Sequence, residues 1–512
     1  MKKDFWKREY SFSRIELLAL FLYFLAILTL PVFHEPWEDE LQAWCIARDL
    51  SLPEMFHQMR YEGHFMPWFL LLKPFAAAGL PISVLNLVSV FLSLAAVLPF
   101  MMFRGFRPGF KIVILLSAPI LYWFPVVSRC YALIPLALCL LAGSYPVRLR
   151  HPFAYALSLL LLVHSHAYME GLAGILGAFF LWELMLRCFR MGGRKILTFI
   201  AVLILITAGV AFAALQVLPA FGASSYAPAA AGSIFAEPGR IPLRIWQALL
   251  KLPGYYAGHI SRSTEPVAIL FYICLSAAVI QLFVTRGRAG LFFLTGFFWQ
   301  ILFSAFLFPM VMHRAYLPLL MLVFCFALPV RREKRKLPKQ KTFFSRLLYS
   351  MAPAMILALM TFPDSFYFVV SDVKRPFSNQ YQTAHFIESE LSPDAKIVVF
   401  PASLITGTFR AYLPEQTFYR CTDGEPFRVF QTVGKMPEKL DNALLEKYME
   451  DGKDVYLLFQ MGAFLTYWPR QPQEQYRVGD FVLEPVFCSY PNAFFTAGED
   501  YLIFRLTRKA ER

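Results

Sequence analysis

Seven carboxylates, Glu35, Glu38, Asp39, Glu40, Asp49, Glu54 and Glu62, fall between positions 35 and 62, where only Arg48 and Arg60 supply a permanent positive charge. Crowding raises the mutual repulsion of carboxylates and pushes one or more of their pKa values upward, a costly arrangement unless proton transfer or a bound cation uses it. For Glu35 and Glu54 a simpler reading suffices, because acidic side chains near a helix N-terminus offset the helix dipole. That helix would lie at the membrane interface with Leu41, Trp44 and Cys45 on its apolar face. For the adjacent pair Asp39 and Glu40 the chemical reading is preferred, on the motif that surrounds them and is described below.

A second group consists of polar residues set among apolar ones. Arg129 and Tyr131, in Ser128-Arg129-Cys130-Tyr131, lie between two apolar runs, and Arg314 follows His313 at the start of another. Charge in apolar surroundings marks a pathway or a site, and a guanidinium is suited to holding phosphate; the alternative is an arginine that snorkels to lipid headgroups. His164, His166 and Glu170 have a spacing that could bind metal, although satisfied polar contacts inside a helical bundle account for them as well. No glycine-rich phosphate loop of the Walker or Rossmann kind is present, which argues against a bound nucleotide. The eight cysteines show no CxxC spacing, so structural zinc is not expected. Only Cys421 and Cys488 share a soluble region, where a disulfide between them is open.

The elements that must position these groups are membrane helices. Of 512 residues, 58% are hydrophobic and 16% charged, against about 25% charged in a soluble domain. Disorder, collagen and a disulfide-stapled miniprotein are excluded. The net charge of +14 is unevenly spread: residues 1–362 hold 33 Lys and Arg against 15 Asp and Glu, whereas residues 363–512 hold 16 against 20. The surplus sits between apolar runs as loop charge that sets orientation, so no nucleic-acid partner is expected. Runs near the roughly 20 residues needed to cross a bilayer occupy about 15–33, 82–103, 195–219, 265–283, 289–310, 315–330 and 343–362. Shorter ones fall at 111–127, 131–147, 152–166 and 171–187, and another, 65–80, is interrupted by Lys73-Pro74. The first run lacks a signal-peptidase site and is expected to remain as an anchor.

The basic loops 187–195, 286–288 and 331–341 should face the cytoplasm, as should the N-terminal Lys2, Lys3, Lys7 and Arg8. Loops 34–64 and 220–264 and the region after 363 would then lie outside. The count closes if 65–80 does not span, which leaves about eleven spans within a range of eleven to thirteen. A soluble α/β domain is expected over 363–512, with strands near 395–400, 454–459 and 500–505 and helices near 381–391 and 442–450.

The string from His34 through Asp39-Glu40 to Trp44, followed by Glu62-Gly63-His64, resembles the first external loop of GT-C superfamily glycosyltransferases. The likeness is to the bacterial branch similar to protein O-mannosyltransferases and lipid A aminoarabinose transferases. Those enzymes carry an Asp-Glu pair soon after the first transmembrane helix, and their chain returns to the membrane through a Glu-Gly-His-Pro-Pro or Glu-Lys-Pro-Pro motif. Here Phe65-Met66 replace the two prolines and Pro67 follows one place later, which leaves the entry of the next helix open. The match covers about 35 residues, although the plan of a many-helix membrane half with a soluble C-terminal domain agrees with it.

The resemblance implies an all-α polytopic membrane module over 1–362, GT-C-like, followed by a small extracytoplasmic α/β domain over 363–512. It implies transfer of a sugar from a polyprenyl-phosphate donor to a lipid, glycan or protein acceptor at the outer face of a cell membrane, among membrane lipids. Asp39 would be the catalytic acidic residue with Glu40 in support, and Glu62, His64, Arg129, Tyr131 and Arg314 would contact the donor phosphate. A divalent cation, Mg or Mn, is compatible with the acidic pair but is not required by it. Loop 220–264, with His259 and Arg262, would act as a lid. Two rival classes are a transporter or lipid flippase, for which internal repeats and broken helices are expected and no repeat is seen, and a non-catalytic scaffold. The Asp39-Glu40 and Glu62-Gly63-His64 pairing separates the first reading from both.

Overall fold

The structure is a computed structural model, and it describes residues 12–217, 238–256, 264–307, 310–329, 351–400, 408–429, 437, 439–468, 475–489, 493–495 and 499–509. The N-terminal basic cluster, the basic linker 331–341, His259 and Arg262 lie outside the described residues, as does most of loop 220–264.

Among the described residues, eight stretches are long and apolar enough to cross a membrane: Arg14–Val32, Val84–Met102, Cys130–Val147, Ala167–Met191, Arg194–Val217, Glu265–Arg286, Arg288–Phe306 and Ala352–Lys374. This is fewer than the eleven to thirteen expected. Run 111–127 is broken: the helix Pro108–Leu116 ends at Ser117, whose backbone is extended, and Pro119, which has no N–H to continue the helical ladder, follows two residues later. A single π turn, Pro119–Trp123, follows. Runs 152–166 and 315–330 form the shorter helices Pro152–Val163 and Met312–Ala327. Run 65–80 forms α4 (Pro67–Ala77); its 11 residues span about 16 Å, roughly half the hydrocarbon thickness. Pro67 occupies the first turn, where its missing N–H costs nothing, and the Met66 N–H donates to the buried Gln216 Oε1 at 2.7 Å. Together these two residues fix how the chain re-enters the bundle.

Polar pairing marks one end of that bundle. Glu183 accepts from Arg148 at 2.5 Å and from Arg288 at 2.7 Å, and Arg187 donates to the Leu149 carbonyl at 2.7 Å. The basic loops 187–195 and 286–288 and the short turn that carries Arg148 are thereby gathered on one side. Arg129 and Arg148 flank the two ends of Cys130–Val147, an 18-residue stretch about 27 Å long.

The boundary expected at residue 362 falls inside the stretch Ala352–Lys374, at a turn between Ala352–Met360 and Phe362–Lys374. The second of these helices packs back on the bundle, with Phe368 5.4 Å from the Tyr122 ring and 4.9 Å from Trp123. The region beyond it is a seven-stranded sheet in the order β3-β2-β1-β4-β7-β6-β5. Its centre, β1 (Lys396–Phe400), β4 (Val455–Gln460) and the first half, 501–504, of β7 (Tyr501–Arg508), is buried on both faces. That burial explains why these strands read as continuous apolar runs. β1 pairs in parallel with β4 and with β2 (Phe418–Arg420), and the remaining pairs are antiparallel. β2, together with β3 (Pro426–Phe427), β5 (Tyr476–Val478) and β6 (Phe481–Cys488), is additional to the strands expected.

The bridge between Cys421 and Cys488 that the sequence leaves open is not formed, and both thiols are free. Cys421 follows β2 and Cys488 ends β6, four strand positions away. At about 4.8 Å per strand that is roughly 19 Å, far beyond the roughly 4.4–6.8 Å between Cα atoms that a disulfide needs.

Candidate active site

The site is built on two short helices between the first two long ones. α2 (Glu38–Asp49) starts after Trp37, whose N–H donates to the Glu40 carboxylate at 3.1 Å. The Glu38 N–H, one position into the helix, donates to Glu499 Oε1 at 3.1 Å. Helix starts leave such N–H groups unsatisfied; here two carboxylates satisfy them, one of them from the far end of the sequence.

Glu40 is fully buried. Its Oε2 faces His34 Nε2 at 3.0 Å, and its Oε1 accepts the Ser128 N–H at 2.6 Å. With both oxygens engaged, Glu40 lies off the cavity described below and serves to hold the Ser128-Arg129 turn. The Ser128 hydroxyl also donates to Asn86 Oδ1 at 2.8 Å. His34 bridges Glu40 and Asp372, the latter at 2.9 Å. Burial lowers its pKa, but the Asp372 and Glu40 carboxylates outweigh that and push it up to about 10. The imidazolium ties α2 to helix Phe362–Lys374.

The turn held by Glu40 delivers Arg129. Its Nη2 lies 2.6 Å from Asp39 Oδ2 and 3.2 Å from His64 Nε2, and its Nη1 lies 3.4 Å from His313 Nε2. The guanidinium carbon is 5.2 Å from the Trp37 ring centroid and 5.3 Å from that of Tyr131, within cation–π range. Tyr131 accepts from Arg314 Nε at 2.9 Å, and Arg314 also lies over the Tyr168 ring.

α3 (Leu52–Glu62) ends at Gly63, whose φ of 65° is left-handed, a conformation that glycine adopts without the Cβ penalty. The turn places Glu62 and His64 on the cavity that Asp39 and Arg129 also line, with Trp68 and Phe69 of α4 as apolar wall. Glu62 Oε1 accepts from Gln42 at 2.8 Å and from Gln58 at 2.7 Å. Burial pushes its carboxyl up to about 7; the two amides oppose this and the Asp39 charge adds to it. Burial, with the charges of Arg129 and Arg314, holds the His64 imidazole well below its usual range, so the ring is neutral.

Of the residues singled out in the sequence, Asp39, Glu62, His64 and Arg129 share this cavity. Tyr131 and Arg314 form a bonded pair that does not line it. His164, His166 and Glu170 do not form a cluster: His164 Nε2 bonds the Gly209 carbonyl at 3.0 Å, while His166 sits across the chain beside His64, with ring centroids 5.5 Å apart. The ligand atoms of His64, Cys130 and His166 lie within 4.8 Å of one another, a spacing that invites a metal. Donor accounting opposes one. Arginine only donates, so the His64 Nε2 that faces Arg129 is an acceptor and the ring proton sits on Nδ1. His166 Nδ1 accepts the Tyr168 N–H at 3.1 Å, which puts its proton on Nε2. In both rings the remaining nitrogen is protonated, and Arg129 and Arg314 add positive charge. These groups are set to receive an anion. Asp39 and Glu40, directed to different partners, do not converge on a common cation position either.

Sequence reasoning missed Trp37, Asn86, His313 and Glu499. His313 was adjacent to a residue already chosen. Nothing in the sequence links Glu499 to position 38.

Together the fold and site define a polytopic, mostly helical membrane protein with a C-terminal mixed sheet, in which a carboxylate and a buried guanidinium share one small cavity. No family model matches the chain, and no curated protein matches it either.

Proposed function

We propose that the protein is a membrane glycosyltransferase that moves a sugar from a polyprenyl-phosphate donor to an acceptor hydroxyl on the extracytoplasmic face. The observation that carries this reading is the Asp39–Arg129 pair at 2.6 Å on the wall of a cavity that also holds Glu62 and His64. A hydroxyl nucleophile needs a proton acceptor, and a departing lipid phosphate needs fixed positive charge and hydrogen-bond donors. In the proposed step the acceptor oxygen bonds to the sugar's anomeric carbon as its proton passes to Asp39, and the bond from that carbon to the phosphate oxygen breaks. Arg129 holds the phosphate, with the Arg314–Tyr131 pair beside it. Glu62, neutral below about pH 7, donates to a phosphate oxygen rather than repelling it.

The orientation follows from the positive-inside rule. The end of the bundle at which Arg148, Arg187 and Arg288 gather faces the cytoplasm, and Arg129, at the other end of Cys130–Val147, faces outward with the C-terminal sheet. A transporter is a weaker reading, since the acidic and basic groups of the site stand on loops and short helices rather than on helices broken near the midplane.

The test is turnover. Purified protein in lipid nanodiscs, given a panel of radiolabelled polyprenyl-phosphate sugars and mixed acceptors, should release free lipid phosphate. Absence of release across the panel from folded protein refutes the reading.

A further inference from the structure

The cavity has one wall residue whose chemistry nothing above uses. Trp68, in the first turn of α4, lines the cavity with Asp39, Glu62, His64 and Arg129 and is 2% exposed. Its indole Nε1 is buried and has no acceptor among the described residues. An indole N–H only donates, and buried donors are nearly always matched. The two carboxylates that line the cavity with it make their bonds to other groups. Asp39 is paired with Arg129, and Glu62 Oε1 holds two amides. The position is also well fixed, because the Met66 N–H, two residues earlier, is anchored on Gln216. Trp37 has an unmatched indole N–H as well, but it packs beside Arg129 and does not line the cavity.

We infer that the Trp68 indole N–H is a phosphate contact, donating to an oxygen of the lipid-linked phosphate held by Arg129. The inference rests on the phosphate-donor reading and adds a specificity element to it. A donor on an apolar ring rewards a phosphate oxygen and gives nothing to the isoprenoid chain or to a lipid alcohol.

The test measures binding of farnesyl phosphate and of farnesol to the full-length protein in nanodiscs. Wild type should bind farnesyl phosphate more tightly than farnesol. Trp68→Phe, which keeps the aromatic wall and removes the N–H, should weaken farnesyl phosphate about tenfold or more, in line with loss of a charge-assisted hydrogen bond, and should leave farnesol unchanged. If Phe disturbs packing, benzothienylalanine at position 68 replaces the N–H by sulfur in a ring of nearly the same shape and should show the same selective loss. Farnesyl phosphate affinity unchanged in either folded variant overturns the contact, as does an equal loss for both ligands, which would mark a packing role. If wild type shows no preference for the phosphate, the phosphate-donor reading fails and this contact fails with it.

Discussion

Asp39→Asn separates the two duties the site asks of one carboxylate. The side chain is paired with Arg129 at 2.6 Å, so the substitution removes both a proton acceptor and the counter-charge of a buried guanidinium. Removing one partner of a buried pair commonly costs about 3–5 kcal/mol. Here the loss should fall at or below the lower end, because Arg129 keeps His64 at 3.2 Å, His313 at 3.4 Å and two aromatic faces, and the Asn amide oxygen can still accept. Transfer should drop by roughly 10²- to 10⁴-fold, the usual worth of a general base. Phosphate binding should move the other way. A phosphate on the same guanidinium sits about 5 Å from the Asp39 position, where two unit charges repel by about 3 kcal/mol at an effective dielectric constant near 20. Even with most of this screened, Asp39→Asn should bind polyprenyl phosphate about fivefold tighter or better. The assay pairs single-turnover transfer with equilibrium binding of the lipid phosphate to the same nanodisc preparation. Near-normal transfer in Asp39→Asn would remove Asp39 as the base, and weaker phosphate binding would remove Arg129 as the phosphate clamp.

Glu62, raised to about 7, should make donor binding fall as pH rises through 7, by about tenfold for each unit above it; Glu62→Gln should flatten that profile, and a Gln variant that keeps the wild-type pH dependence would exclude Glu62 as its source. Because the folded-state pKa lies above the ordinary one near 4.5, the same group contributes stability that is complete below about pH 4.5 and lost as pH rises towards 7, which thermal melts of wild type against Glu62→Gln would read. Glu499 is pushed up to about 8 by burial, with the hydrogen bonds from Ser378 and the Glu38 N–H opposing and Asp39 adding to the rise, and the half-buried Glu35 to about 7 by desolvation; above pH 8 both ionise beside Glu38 and Asp39, and protease nicking between the bundle and the sheet should accelerate, less so in Glu499→Gln. For topology, the exposed native Cys488 and a cysteine introduced at the exposed Ser51 should both react with an impermeant thiol reagent on intact cells; protection of both until lysis would reverse the orientation.

The sequence made the membrane half legible where physics is local. A run of about 20 apolar residues has few alternatives to a helix, and α1 (Arg14–Thr29) even carries a visible Ser13-to-Glu16 capping box. It was less legible where a proline or a polar turn inside an apolar stretch decides whether one helix forms or two pieces, as at Pro119 and at 164–166. In the C-terminal region the central strands were readable because both faces are buried. β6 was not, since its alternation lasts only over 481–484 before the exposed Pro485 and Val486 interrupt it. The site residues named from the sequence divide in a physically sensible way. Asp39, Glu62, His64 and Arg129 meet because two short helices and one left-handed glycine bring them together. His166 left its expected partners because the turn that carries it faces His64 and Tyr131, the latter stacked on it at 4.6 Å. Contacts between residues hundreds of positions apart leave no local pattern to read.

The largest such separation bears most directly on function. Glu38, at the first position of α2, is held by Glu499 from the segment before β7, and Asp39 is the next residue along. Two rings from separate parts of the tail surround the start of α2: Trp37 packs edge-on against Phe377 at 6.1 Å and Phe495 at 5.5 Å, and these two stack on each other at 4.4 Å. Arg410 lies 3.6 Å from Asp49 at the other end of α2, and Tyr381 donates its N–H to Glu35 at 2.8 Å. The helix that carries Asp39 is therefore gripped at both ends by the C-terminal region, while Glu40 fixes its side facing Arg129. A carboxylate and a guanidinium can be kept at one geometry on short, loop-borne helices only if something rigid holds those helices. In this chain the sheet domain supplies that rigidity, which makes it part of the site's framework rather than an appended module.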